Sequence, residues 1–195
     1  MTDERIERGF RQHPDFEQIG ENEFETTAKP FENVVFVTDG ESGDGAESTH
    51  EYRVVVRTPM LDAVVAGEEV AEVVESGWFE TLERRLEDAH TVAQSDANPP
   101  SIEREGSGGE TESRDEEVVV TVEFESADPE QAVEDALTVA EYVEGTWVQG
   151  IIPGYDYREP AASLRERAMQ NYDEGEAGAG RPDDSSAGGR GPGSR

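Results

Sequence analysis

The chain has no cysteine, which excludes disulfides, thiolate metal sites and cysteine nucleophiles. Lysine is nearly absent: of 16 basic residues only Lys29 is one, and the rest are arginine. Large apolar residues are scarce too. Leu, Ile, Val and Phe make up 37 of 195 residues, a level at which highly charged chains usually stay unfolded. No apolar run approaches the roughly 18–20 residues that a membrane-spanning helix needs. The opening MTDERIERGF lacks the apolar core of a secretory signal, so neither a membrane span nor export is expected. No GxSxG elbow, P-loop or GxGxxG fingerprint is present. Gly106-Ser107-Gly108-Gly109 has no strand before it or helix after it and reads as a linker.

What the chain has in excess is acid. Its 47 Asp and Glu residues give a formal net charge of −31. Such charge repels itself and weakens a compact state, but the Debye length falls from about 8 Å at 0.15 M salt to about 3 Å at 1 M. The composition therefore predicts a protein at home in concentrated salt. Arginine in place of lysine fits, because guanidinium is weakly hydrated and pairs bidentately with carboxylates, while lysine exposes a longer apolar stem. Together with Val and Ala replacing larger apolar residues, this composition resembles that of cytoplasmic proteins from extremely halophilic archaea. A cytoplasmic location is expected.

The same excess removes several apparent sites. Catalytic carboxylate pairs cannot be singled out where nearly a quarter of the residues are acidic. Counted from Asp39, the loop DGESGDGAESTH puts Gly43, Asp44 and His50 at positions 5, 6 and 12, so the EF-hand pattern fails. His13, His50 and His90 lack zinc-site spacing and read as isolated surface side chains. Lys29, beside Pro30, has no apolar pocket in view that would make it a Schiff-base amine. Arg5, Arg8 and Arg11 share a helix face, but Asp3, Glu4 and Glu7 neutralise them and no basic groove with interleaved aromatics follows. Ion pairing within that helix is expected, with no nucleic acid, metal or cofactor bound.

The low apolar average hides segregation. Residues 39–50, 94–115 and 174–195 hold one of the 37 large aliphatic and phenyl side chains, Ile102, leaving 36 in the other 139 residues. This predicts one α+β domain over residues 1–172, with polar loops at 39–50 and 94–115, and a disordered acidic Gly/Ser-rich tail over 173–195. Ile6 and Phe10 mark a first short helix ended by Pro14. Phe16–Ile19 and Phe24–Ala28 flank a hairpin turn, and Asn33–Thr38 and Tyr52–Thr58 alternate as strands. Glu68–Ala89 has helical spacing at Val70, Val73, Val74, Trp78, Leu82 and Leu86, with Ser76 as the cap of a second half after a break. His90–Ala93 is expected as a brief strand, and Ser101–Arg104 as an edge strand. In Glu117–Ser126, Val118, Val120, Val122 and Phe124 face one way while Thr121, Glu123 and Glu125 face the other, the pattern of a sheet covered on one side. Asp128, Pro129 and Gln131 then form a helix start: cap, first-turn proline and capping-box partner. A last short helix follows from Pro160 to about Tyr172.

The order, α-β-β-β-α-β-β-α, is similar to that of the type III secretion chaperone-like fold, an analogy of element order alone. A competing arrangement pairs strands 33–58 plus helix 68–89 with strands 90–126 plus helix 129–147 as two ββα units. Both give a two-layer α+β sandwich, an antiparallel sheet with helices on one face.

One stretch stands apart from the acidic background. TWVQGIIPGYDYREP, residues 146–160, gathers Trp147, Ile151, Ile152, Tyr155 and Tyr157 around Gly150, Pro153 and Gly154. Such a loop either folds back as a plug for the sheet end or presents a contact surface. Trp147, Tyr155, Asp156, Tyr157 and Arg158 are the candidate interface, since Tyr, Trp and Arg are common interface anchors. With GWFETLERRLEDA, DPEQAVEDALTVAEYVEGTW and WVQGIIPGYDYREP, the chain resembles a family of small haloarchaeal proteins of unknown function over most of residues 1–172. That resemblance implies no activity, cofactor or catalytic residue. The function expected is a non-catalytic protein-binding module, a homodimeric adaptor or chaperone-like factor whose partner is a second copy or another protein. The alternative is a small-molecule-binding protein or enzyme with a pocket between sheet and helices, carboxylates such as Asp156 or Glu159 lying at its mouth.

Overall fold

Ile6 and Phe10 lie four residues apart on α1 (Glu4–Gln12) and are both fully buried. They mark where the first helix meets the sheet. A computed structural model of the chain describes residues 4–27, 29–40, 49–106 and 116–178, with side chains to residue 170. Six strands follow one another as β1 (Phe16–Gly20), β2 (Glu23–Thr26), β3 (Glu32–Asp39), β4 (His50–Pro59), β5 (Ser101–Glu105) and β6 (Glu117–Ser126). They form one antiparallel sheet in the order β1-β2-β3-β4-β6-β5. The central pair runs in unbroken register from His50 opposite Ser126 to Pro59 opposite Glu117.

Alternation decides the two faces. Phe24, Val35, Val37, Tyr52, Val54, Val56, Val118, Val120, Val122 and Phe124 point into one continuous core. Phe10 stacks on Phe24 at a 4.5 Å centroid distance, and Tyr52 on Phe124 at 5.2 Å. Among the described residues no helix covers the other face; charged side chains do. Arg53 pairs with Glu123 at 2.7 Å, and Arg57 lies within ion-pair distance of Glu105, Glu117 and Glu32. The hydrogen bond that Arg57 donates to the Glu105 carboxylate is the main reason its guanidinium holds its proton more firmly than usual. Beneath these stems Val119, across from Arg57, is buried although it points away from the helices.

The helices are α1, the single turn α2 (Leu61–Val64), α3 (Glu72–Leu86), α4 (Pro129–Gln149) and α5 (Ala161–Gly178). α4 crosses the core side of the sheet. Asp128 caps it, its carboxylate accepting from the Glu130 and Gln131 amides, with Pro129 in the first turn. The inward stripe Val133, Ala136, Leu137, Ala140, Val143 and Trp147 is buried as its spacing requires. Strands β3-β4 followed by α3, and β5-β6 followed by α4, meet with β4 beside β6. That is the connectivity of the paired ββα arrangement, extended at one edge by the hairpin β1-β2.

Several local expectations change. The segment 68–89 is not one interrupted helix from Glu68: the chain makes the turn α2, runs irregularly through Val65–Ala71, and only then enters α3, which passes through Ser76 and Gly77 unbroken. Four strands precede these helices, at the four segments that the alternation marks. The buried side of α3 is Glu75, Trp78, Leu82 and Leu86, while Val73 is 80% exposed. Ala89–Val92 is a 3-10 turn where a strand was expected. Gln131 reaches forward to Asp135 at 3.0 Å, not back to the cap. Within the stretch read as the loop 94–115, β5 adds the edge strand, and Asn98 donates to the Glu123 carbonyl. Asp135 there accepts the Gln94 and Ser95 amides at 2.8 and 3.0 Å. Most of the loop 39–50, at 41–48, lies outside the described residues, as do 107–115. β3 extends to Asp39 and β4 begins at His50. α5 runs to Gly178, past the expected boundary at 172; the rest of the proposed tail, 179–195, also lies outside the described residues.

Candidate functional site

The C-terminal end of α4 delivers the chain into the loop 150–160. Trp147 sits at the last turn and is 1% exposed, its indole N–H donating to the Pro59 carbonyl at 3.0 Å. Phe31 and Trp78 meet it edge-on, at 5.0 and 6.3 Å. Trp147 is thus part of the core that holds the loop. Next, Pro153 and Gly154 turn the chain. Gly154 has φ near +105°, where a side chain would be strained, and Pro-Gly is the pair a type II turn favours.

The returning limb lies against the residues after α2. Ala66 donates its amide to the Asp156 carbonyl and Arg158 donates to the Val64 carbonyl, both at 2.8 Å, so Val65 and Tyr157 form an antiparallel bridge. The Tyr157 hydroxyl closes the loop on itself. It donates to the Ile152 carbonyl at 2.7 Å and accepts from the Ile152 amide at 3.1 Å. Burial pushes the Tyr157 phenol above its ordinary pKa of 10.0, against the pull of the Ile152 hydrogen bond and of Arg165. Arg165 of α5 lies over the Tyr157 ring at 6.0 Å and approaches the Tyr155 carbonyl at 3.4 Å.

The loop is therefore anchored through its backbone and the Tyr157 hydroxyl, with Trp147 buried where it leaves α4. Tyr155 and Tyr157 are half-buried, Asp156 and Arg158 exposed. The sequence reading missed the contribution of α5. Asp156, Tyr157, Ala162, Arg165, Glu166 and Met169 line an open groove of about 490 Å3, and Met169 is 60% exposed at its edge. The spacing Ala161, Leu164, Arg165, Ala168, Met169 was the available signal.

Three buried carboxylates also escaped notice. Glu75, 5% exposed, accepts the Asp62 amide at 3.0 Å, and Asp62 accepts the Val70 amide at 2.6 Å. Burial raises the Glu75 pKa; the Asp62 amide opposes that rise, and the neighbouring Asp62 carboxylate adds to it. With Asp135 on residues 94 and 95, these acids hold irregular backbone in place. Glu75 lines neither the α5 groove nor the clefts between α1 and α4 or α3 and α4.

Other singled-out residues have local partners. Arg11 pairs with Glu7 at 3.3 Å, while Arg5 and Arg8 line a polar cleft beside Asp128 and Glu130. Lys29 pairs with Glu141 at 2.8 Å. His13 accepts from the Asp15 amide, His50 begins β4 near Asp39, and His90 contacts the Glu87 carbonyl. Among the described residues no group of three or more His, Asp or Glu is arranged to hold a metal ion, and no helix is long and apolar enough to cross a membrane.

Fold and site define a two-layer α+β domain whose helix-side core carries a fixed aromatic loop at one end. The family of unknown function DUF5813 matches residues 11–167, and the chain belongs to it. No curated protein and no solved structure matches.

Proposed function

We propose that the protein is a non-catalytic binding module of a salt-rich archaeal cytoplasm, a homodimeric adaptor that uses the face formed by Ile151–Arg158 and the start of α5. One observation carries this reading. Residues 146–165 contain two acidic and two basic side chains, on a chain whose net charge is −31. Ile151, Ile152, Tyr155 and Tyr157 are all partly exposed in that neutral stretch, with Met169 beside them. Two acidic copies approach at least electrostatic cost where each is neutral, and apolar contacts persist in salt that screens ion pairs.

The enzyme reading, with a pocket between sheet and helices, has less support. It calls for a carboxyl of altered acidity in a cleft. Glu75 has the altered acidity, but its side chain holds a backbone amide and lines none of the three clefts named above. Light-scattering mass in concentrated KCl tests the proposal. Wild type is expected at twice the chain mass, Met169→Asp near the monomer, and Val73→Asp, on an exposed part of α3, unchanged. A monomeric wild type, or equal loss in both variants, overturns it.

A further inference from the structure

A second concavity lies between α3 and α4, away from the α5 groove. It has a volume of about 280 Å3 and is lined by Gly77, Trp78, Thr81, Leu82 and Arg85 from α3, with Thr146, Gln149, Gly150 and Ile152 opposite. Its floor is apolar, made by Trp78, Leu82 and Ile152. Two of its polar side chains are already engaged. The Trp78 indole N–H donates to the Gly150 carbonyl at 2.9 Å, and the Thr81 hydroxyl donates to the Gly77 carbonyl at 2.9 Å.

Arg85 is different. Its carbonyl accepts from Tyr142, but its exposed guanidinium has no ion pair or hydrogen bond among the described residues. Among the described residues no aspartate or glutamate lines this cleft, whereas acidic residues line both the α1–α4 cleft and the α5 groove. In a chain with 47 acidic residues, that makes an apolar recess with one free cation and no carboxylate among its described lining residues.

We infer that the α3–α4 cleft binds a small amphipathic carboxylate, its apolar body on Trp78, Leu82 and Ile152 and its carboxylate on Arg85, with Gln149 as a second donor. The chemistry fits each part. A guanidinium takes a carboxylate in paired, charge-assisted hydrogen bonds, and a recess of this size holds one aromatic ring or a short alkyl chain. Molar salt weakens the ion pair and leaves the apolar contact in place, so the ligand needs both ends.

The test uses the full chain, 15N-labelled, in about 1 M KCl, titrated with 4-phenylbutyrate and separately with 4-phenylbutan-1-ol. The two indole N–H resonances report separately, because Trp78 floors the cleft while Trp147 donates to Pro59 behind it. Expected is a saturable shift of the Trp78 resonance, with the carboxylate about tenfold tighter than the alcohol, as one charge-assisted contact implies. Arg85→Gln should remove that preference and keep weak binding of both. Gly77→Leu should abolish binding of both: Gly77 lines the cleft, a Cβ there meets no atom within 4 Å, and leucine favours the helix, so the added side chain is expected to occupy the ligand's space without disturbing the fold. No saturable Trp78 shift, equal affinity for acid and alcohol, or full binding by Gly77→Leu would each overturn the inference.

Discussion

Replacing Glu75 by glutamine should make this protein more stable near neutral pH and less sensitive to pH above the ordinary glutamate range. The carboxyl is 5% exposed and accepts one backbone amide, from Asp62 at 3.0 Å. Asp62 faces it from α2, and Arg104 of β5 and Glu116 beside β6 are the other charged groups near it. Desolvation sets its pKa above the usual 4.5. For an acid the folded state then binds more protons than the unfolded state between the ordinary and the raised value, so stability falls as pH rises through that window and is level above it. Glutamine keeps the oxygen that accepts the Asp62 amide and removes the ionisation. The stability difference, Glu75→Gln minus wild type, should thus climb with pH from about 4.5 and reach a plateau. Glu75→Ala separates the other half of the argument. It orphans a buried amide, at about 1–3 kcal/mol, or a fall of roughly 2–12 °C in Tm for a chain of this length. Thermal and urea unfolding in molar KCl across this pH range give both numbers. A flat difference curve, or a glutamine variant as damaged as the alanine one, would refute the account of a desolvated carboxyl held for its hydrogen bond.

Other substitutions probe other parts of the fold. Trp147→Ala should lose about 3–5 kcal/mol as a buried indole is deleted, with Trp147→Phe intermediate because it keeps the ring beside Phe31 and loses the bond to Pro59; chemical denaturation measures both. Asp128→Ala should cost about 0.5–2 kcal/mol through loss of the α4 cap, read from the same curves. On the open sheet face, a double-mutant cycle on Arg53 and Glu123 should give under about 1 kcal/mol of coupling, shrinking as KCl rises. Tyr157→Phe should speed amide hydrogen exchange at Ile152, whose N–H and carbonyl both bind the hydroxyl; unchanged protection there would contradict the anchored loop.

The parts of this fold that the sequence displays are those where one residue type dictates one local geometry. The alternation in Glu117–Ser126 and the Asp128-Pro129 start of α4 needed no tertiary information. α3 was harder to place, because Val70, Val73 and Val74 imitate a helical stripe. Val70 is in fact buried from an irregular segment held by Asp62, and the inward face of the helix includes a glutamate. In a chain so rich in acid, Asp62, Glu75 and Asp135 look like any solvated carboxylate. Their partners are backbone amides 8 to 41 residues away, which spacing does not reveal. The aromatic loop was visible because its neutral, Gly- and Pro-broken composition departs from its surroundings. The inward turn of the Tyr157 hydroxyl was not, and the α3–α4 cleft joins residues such as Trp78 and Gly150 that are 72 positions apart.

Sedimentation equilibrium of the wild-type chain, with KCl raised from about 0.2 M to about 3 M, tests the central claim most directly. Self-association through a neutral aromatic face predicts a mass that climbs from monomer toward dimer as salt screens the −31 charge. A monomer at every concentration, or a dimer that dissociates as salt is added, would contradict it.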